Sequence, residues 1–249
     1  MRLLAIHIFP VKSMAGHQVG TWPLTARGLV GDRAWALADG DGKLGSGKDT
    51  RRFRRRDPLF GWAARLAGPD AEPEVAWLGR ETEAADGPTW RPAADAQVAT
   101  LLTQQCGERV LLRPEKDTGL PDSFMDGGAI SLVGTATLAD LGRRLGAGGP
   151  VDPRHLRANL IVETDVPYVE DSWVGRELHI GAATCAVTER VARCRTVDLA
   201  QADLPAAPGL LKATGARDAC AAVYLTPLAA SSVAVGDDVT PHSAEAPRP

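Results

Sequence analysis

A short apolar run over Leu3–Phe9, interrupted only by His7, stops at Pro10, which predicts a first strand and then a loop through Val11-Lys12-Ser13 to Gly16. A second strand is expected over Arg33–Ala38. The Asp39-Gly40-Asp41-Gly42 turn after it contains Asp-Gly pairs, which supply the positive φ of tight hairpins. Asp57-Pro58 reads as a helix start, with Asp as N-cap and Pro at the first helical position. That helix would bury Leu59, Trp62, Ala63 and Leu66 and end at Gly68. A strand at Val75–Leu78 is expected inside a Pro-, Glu- and Gly-rich stretch, with a domain boundary near Pro92.

Helical spacing returns from Asp95 to Gln105, stopped by Gly107, and again over Thr135–Leu145. In the second, Leu138, Leu141 and Leu145 share a face and Gly146 is the C-cap. Short strands follow at Asn159–Glu163, Glu177–Ile180, Thr184–Arg193, Ala221–Leu225 and after Gly236. Their spacing suggests a closed or nearly closed barrel. The expected division is an N-terminal β-rich domain over 1–93, a barrel over 94–240 and a disordered tail over 241–249.

The chain has 249 residues, enough for one large β-rich domain or two modest ones. Its net charge of −3 carries no basic excess and its aromatic content is 5%, so nucleic acid is not an expected partner. The N-terminal apolar run is broken by His7 and stopped by Pro10. No stretch reaches the roughly 18 apolar residues of a membrane helix. The expectation is a soluble, cytoplasmic protein without membrane contact.

Four scattered cysteines without a CxxC pair argue against a disulfide framework, structural zinc or an iron–sulfur cluster. Cys185 and Cys220 read as core thiols, and Cys106 as a helix-end packing residue. Cys194 differs. It stands between Arg193 and Arg195, whose charge favours a thiolate, the form that binds soft metals or attacks electrophiles. Thr196 lies close by. Were Thr184–Arg193 one continuous strand, Cys185 and Cys194 would face opposite sides.

Other segments carry weaker signals. Lys12-Ser13 offers an ammonium, a hydroxyl and loop amides that suit a phosphate, although spacing alone favours a solvated loop lysine. Arg33 either points into a site or pairs with Asp32. The basic run from Lys48 to Arg56 reads first as a solvated charge run, and second as an anion-attracting rim. Arg157 and Asn159 would share a strand face able to hold a heterocycle, or form a barrel-rim network. Glu170-Asp171-Ser172-Trp173 reads as a capped turn with a buried Trp plug. Tyr224 either lines a polar interior or is half-buried with its hydroxyl bonded.

Taken in order, these segments resemble the MOSC family, named for the C-terminal domain of molybdenum cofactor sulfurase. The two-part members similar to the mitochondrial amidoxime-reducing component match best. The resemblance rests on Phe9-Pro10-Val11-Lys12-Ser13, Gly31-Asp32-Arg33-Ala34-Trp35, Arg157-Ala158-Asn159, Glu170-Asp171-Ser172-Trp173, Arg193-Cys194 with Thr196-Val197-Asp198, and Val223-Tyr224. It implies a β-rich α+β fold, a MOSC β-barrel beside a smaller α/β N-terminal domain, with molybdopterin between them. Cys194 would ligate molybdenum. Lys12, Ser13 and Arg33 would hold the cofactor from one side, and Arg157, Asn159 and Tyr224 from the other, with Arg193 and Thr196 beside the cysteine.

The implied activity is molybdenum-cofactor-dependent reduction of small N-hydroxylated substrates, with electrons from a separate donor protein. The alternatives are a sulfur carrier using a Cys194 persulfide, or a non-catalytic molybdopterin-binding module. Ala192 stands where the family often has Pro, Ser or Thr, so a hydroxyl contact is missing there. Relatives also carry a longer stretch between the cysteine and the Thr-Val-Asp segment.

Overall fold

The computed structural model describes residues 1–79, 87–115 and 124–242. An eight-stranded sheet forms the larger part. From edge to edge its strands are Val239–His242, Glu177–Ile180, Ala183–Ala192, Cys220–Pro227, Ile130–Gly134, Leu160–Val162, Leu3–Ile8 and His17–Val19. Side chains on successive residues point to opposite faces, so each central strand feeds two cores. Ile130, Leu132, Leu160, Val162, Val223 and Leu225 enter an inner cluster. Val133, Ile161 and Ala222 face an outer cluster with Leu138 and Leu141 of the helix Thr135–Leu145.

The sheet curls until its flanks meet. Leu3 N donates to Asp237 O at 2.9 Å, Gly236 N to Leu3 O at 2.7 Å, and Val239 N to Met1 O at 2.8 Å. The barrel is therefore nearly closed. A three-stranded sheet of Ser231–Ala234, Thr21–Thr25 and Gly28–Leu29 adds Trp22, Leu24 and Val233 to the same inner core.

Past Pro10 the chain crosses from the barrel into a smaller unit. Lys12 N donates to Trp35 O at 2.8 Å, and Arg33 N reaches back to Phe9 O at 2.7 Å. In this unit Val110–Pro114, Trp35–Asp39, Leu44–Ser46 and Phe53–Arg55 form one sheet. Arg91–Pro92, Glu74–Trp77 and Trp62–Arg65 form another. They share a core of Val11, Leu37, Leu59, Trp62 and Leu112 with Val98 and Leu102 of the helix Ala96–Cys106. Asp95 caps that helix and Gly107 ends it at φ 73°, as the pattern predicts. The β-rich α+β architecture is the one expected.

Three local expectations change. Residues 96–114 follow the boundary expected near residue 93, yet Val110–Pro114 pairs with Trp35–Asp39. Leu3–Ile8, conversely, is built into the barrel. The segment from Asp57 is not a helix to Leu66 but a 3-10 turn, Asp57–Gly61, followed by the strand Trp62–Arg65 paired with Glu74–Trp77. Its apolar spacing fits both periods, and packing decides. A Cβ at Gly61 would lie 2.4 Å from the Trp77 ring, and Trp62 Nε1 donates to Gln105 Oε1 at 2.8 Å. Pro241 and His242 belong to the last strand, and 243–249 lie outside the described residues. Among the described residues no helix is long and apolar enough to cross a membrane.

Candidate functional site

Every residue to which the resemblance gives a place at the cofactor lines one cleft between the two parts, with ≈ 880 Å³ of empty space, open solvent included. The crossing loop brings Lys12 and Ser13, and the turn before Trp35–Asp39 brings Arg33. The barrel supplies the rest. Ser13, Arg33 and Arg157 adopt positive φ of 68°, 50° and 51°, a conformation few non-glycine residues take. Backbone outliers of this kind cluster at functional sites, where surrounding structure holds them.

Cys194 reaches the cleft because its strand is irregular. Ala183–Ala192 pairs with Cys220–Pro227 through two register shifts, between Val187 and Glu189 and between Arg190 and Ala192. Such bulges re-aim a strand end. They also void the parity argument, since Cys194 lies beyond the strand at the start of the 3-10 turn Arg195–Asp198. Its free thiol is partly exposed, with Sγ 3.3 Å from Thr196 Oγ1. Cys185 is a core thiol, as expected.

The flanking arginines behave differently from each other. Arg195 turns away: its Nη1 donates to Gly47 O at 3.1 Å and to Asp57 Oδ1 at 2.8 Å. Arg193 stays. Its Nε donates to Ala221 O and its Nη1 to Leu156 O, both at 2.7 Å, leaving Nη2 buried without a partner. Arg157 is in the same position: Nη1 donates to Gln201 Oε1 at 3.3 Å and Nη2 is orphaned. Burial pushes the Arg157 guanidinium down to about 9, with Arg33 acting in the same direction. Burial likewise pushes Arg193 down to about 10. Both remain cations at neutral pH.

Arg33 is held from three sides. It pairs with the fully buried Asp32, donates from Nη2 to Arg157 O at 3.0 Å, and donates from Nη1 to Asn159 Oδ1 at 3.2 Å. Arg33 and Arg157 both pack on the Phe9 ring, at 4.9 and 4.5 Å. Both alternatives read for Arg33 hold together, since it pairs with Asp32 and lines the cleft.

Asn159 differs from expectation. It precedes its strand, which begins at Leu160, and Arg157 ends the short helix Pro153–Leu156. The two do not share a strand face. Asn159 Oδ1 also accepts from Ser131 N at 3.1 Å and Ser131 Oγ at 3.0 Å, while Nδ2 donates to His7 O at 3.1 Å. It acts as a clamp that positions Arg33. Tyr224 packs against Gly127 and Gly128, where an added Cβ would come within 2.6 Å of its ring and 2.5 Å of its Cβ.

Lys12 is 3% exposed. Its Nζ donates to Asp126 Oδ2 at 2.9 Å, and Ser13 Oγ donates to Gly45 O at 3.2 Å. Burial pushes the Lys12 ammonium down to about 8 against the opposing pull of Asp126. Burial alone would raise Asp126, but Lys12 and Lys48 outweigh it and hold that carboxyl well below the usual range.

Asp126 was invisible in the sequence, where nothing links it to a lysine 114 residues away. Ser46 and Lys48 are the members of the glycine-flanked basic stretch that line the cleft. Arg54 instead pairs with Asp39, Asp41 and Glu108, Arg55 with Asp57, and Arg56 with Glu108. Trp173 is a buried plug as read. Glu170 caps the N-terminus of the earlier helix Thr135–Leu145 rather than its own turn, accepting from Gly134 N at 3.2 Å and Thr137 Oγ1 at 2.7 Å.

Comparison with known proteins agrees with this architecture. A MOSC N-terminal beta barrel domain matches residues 1–58, and a MOSC domain matches residues 121–240. The molybdenum cofactor sulfurase of Oryza sativa subsp. japonica is 29% identical over 237 residues, covering 81% of this chain and 28% of that protein. Its namesake in Drosophila melanogaster is 27% identical over 229 residues, covering 80% and 28%. This chain thus spans less than a third of these relatives. The crystal structure of the YuaD protein from Bacillus subtilis superposes with a TM-score of 0.52 at 13% identity, covering 98% of this chain and 96% of that one, which shows a shared fold. With both domain models matched in order along a fold that joins them, the chain belongs to the MOSC family in its two-part form.

Proposed function

We propose that this chain is a molybdenum-cofactor protein in which Cys194 ligates the metal. One observation carries the reading. Two buried guanidinium nitrogens, Arg157 Nη2 and Arg193 Nη2, lack acceptors, and both arginines line the same cleft as a free thiol. A buried donor without a partner costs about 1–3 kcal/mol, and an anionic ligand in the cleft offsets that cost. The donor set fits as well. Among the described residues no three His, Cys, Asp or Glu side chains gather, so a metal at Cys194 draws its other ligands from the pterin that carries it. The name shared by the curated relatives supports the same cofactor.

When bound, the group would supply a metal that cycles between two oxidation states and takes oxygen from substrate. The chain's residues bind and orient it. Lys12, Ser13 and Arg33 hold phosphate and pterin from the N-terminal side. Arg157, Arg193 and Tyr224 close the barrel side, Asn159 fixes Arg33, and Thr196 positions the sulfur. The substrates are small N-hydroxylated compounds such as hydroxylamines or amidoximes, and a separate protein delivers electrons.

The test is protein purified from a cofactor-competent host, measured for molybdenum, pterin and reduction of benzamidoxime by a chemical reductant. Wild type should carry both in step with the chain and turn over, and Cys194→Ala should lose the metal and the activity. Full activity in that variant sinks the ligand role. The relatives' name also favours a second reading, in which Cys194 carries a persulfide for sulfur transfer. Mass spectrometry showing an extra sulfur on Cys194, without molybdenum, selects it.

A further inference from the structure

The lysine seat of the cleft already holds an anion, and it belongs to the chain. Asp126 Oδ2 accepts from Lys12 Nζ at 2.9 Å and its Oδ1 lies 3.2 Å from Lys48 Nζ. One carboxylate thus bridges a buried lysine from the crossing loop and a half-exposed one from beyond Leu44–Ser46. Both ammoniums stand over the Phe53 ring, at 4.7 and 5.1 Å. The Asp126 side chain is 45% exposed, so its release from the lysines opens no core. The two residues after it, Gly127 and Gly128, lie so close to the Tyr224 side chain that an added Cβ would come within 2.6 and 2.5 Å, which seats the backbone beside Asp126. Two oxygens facing two cations is also the arrangement a phosphate would use.

Building on the reading of this cleft as the seat of a phosphate-bearing cofactor, we propose that Asp126 is its resident counter-anion. It occupies the Lys12–Lys48 pair when the cleft is empty, and a phosphate-bearing ligand binds by displacing it. Two consequences follow. Asp126 keeps a buried ammonium compensated while no ligand is present, which an unpaired buried charge would not survive at low cost. It also lowers anion affinity, because the incoming group must break two charge-assisted bonds and then sit beside a displaced carboxylate. A monoanion brings no more charge than the carboxylate it replaces, so the exchange favours groups with at least two negative charges.

Calorimetric titration of the cofactor-free chain with pyrophosphate at pH 7 tests this on wild type, Asp126→Asn and Lys48→Met. Asp126→Asn should bind roughly tenfold tighter or better, the scale of removing a like charge beside a bound anion. Lys48→Met should bind more weakly than wild type. A folded Asp126→Asn that binds no tighter overturns the proposal. So does the absence of pyrophosphate binding to wild type and variant alike, since the lysine pair is then no anion seat. Should Asp126→Asn fail to fold, NMR of wild type labelled at lysine Cε and aspartate Cγ replaces it. The Lys12 and Asp126 signals must both shift as pyrophosphate is added, and an unmoved Asp126 signal at saturation overturns the displacement. The cofactor reading has its own measure in pterin content, so either can fail while the other stands.

Discussion

Lys12 shows how a single side chain ties stability to function. Burial lowers its proton affinity, Arg33 and Lys48 lower it further, and Asp126 opposes them, leaving it near 8 in the ligand-free chain. Between about 8 and the unfolded value of 10.5 the unfolded chain holds a proton that the folded chain has released. This group's contribution to stability therefore rises with pH in that window, and below it the charged lysine is a cost. A bound anion reverses the balance by favouring the ammonium. Sulfate affinity, measured with an anion that does not titrate in this range, should be flat below pH 7.5 and fall as pH rises through about 8. Lys12→Met should bind more weakly and lose that dependence. A wild-type affinity unchanged from pH 7 to 9.5 would show that Lys12 takes no part in holding the anion.

At the level of elements, the cysteine turn and the loop after Leu44–Ser46 meet at Gly47. A Cβ there would lie 2.5 Å from Thr196 Oγ1 and 3.3 Å from the Phe60 ring. Gly47→Ala should cost about 1–3 kcal/mol of stability, typical of overpacking, and lower anion or cofactor retention by displacing the turn that carries Cys194. Denaturant melts and metal content read the two effects, and a variant equal to wild type in both contradicts this packing. The same element shows where sequence patterns stop informing. Thr135–Leu145 was legible to the residue because the helical period and the Gly146 cap agree, and Glu177–Ile180 because its polar and apolar residues alternate as their burial does. Trp62–Arg65 was not, since its apolar positions suit a helix equally and the deciding contact is with Trp77. Nor do bulges leave a local mark, and the two in Ala183–Ala192 are what deliver Cys194 to the cleft.

Across the whole molecule the site exists only where the two parts interlock. Leu3–Ile8 pairs with Leu160–Val162, Val110–Pro114 completes the N-terminal sheet, and Arg195, Arg33 and Lys12 each bond to a residue of the other part. A fragment of residues 1–93 lacks both pairings and should be unfolded by circular dichroism and amide dispersion. A dispersed, cooperative fragment would contradict this interlocking. The order of motifs along the chain pointed to which residues gather. Their geometry was not readable, because Asn159 as a clamp, Arg195 drawn off by Asp57 and Asp126 between two lysines all depend on partners distant in sequence. The account rests on one sulfur in a cationic cleft holding a metal. Anomalous diffraction at the molybdenum edge, on crystals of protein from a cofactor-competent host, tests that directly. The account predicts a single peak bonded to Cys194 Sγ, absent in Cys194→Ala. A peak elsewhere, or one that persists in the variant, would contradict it.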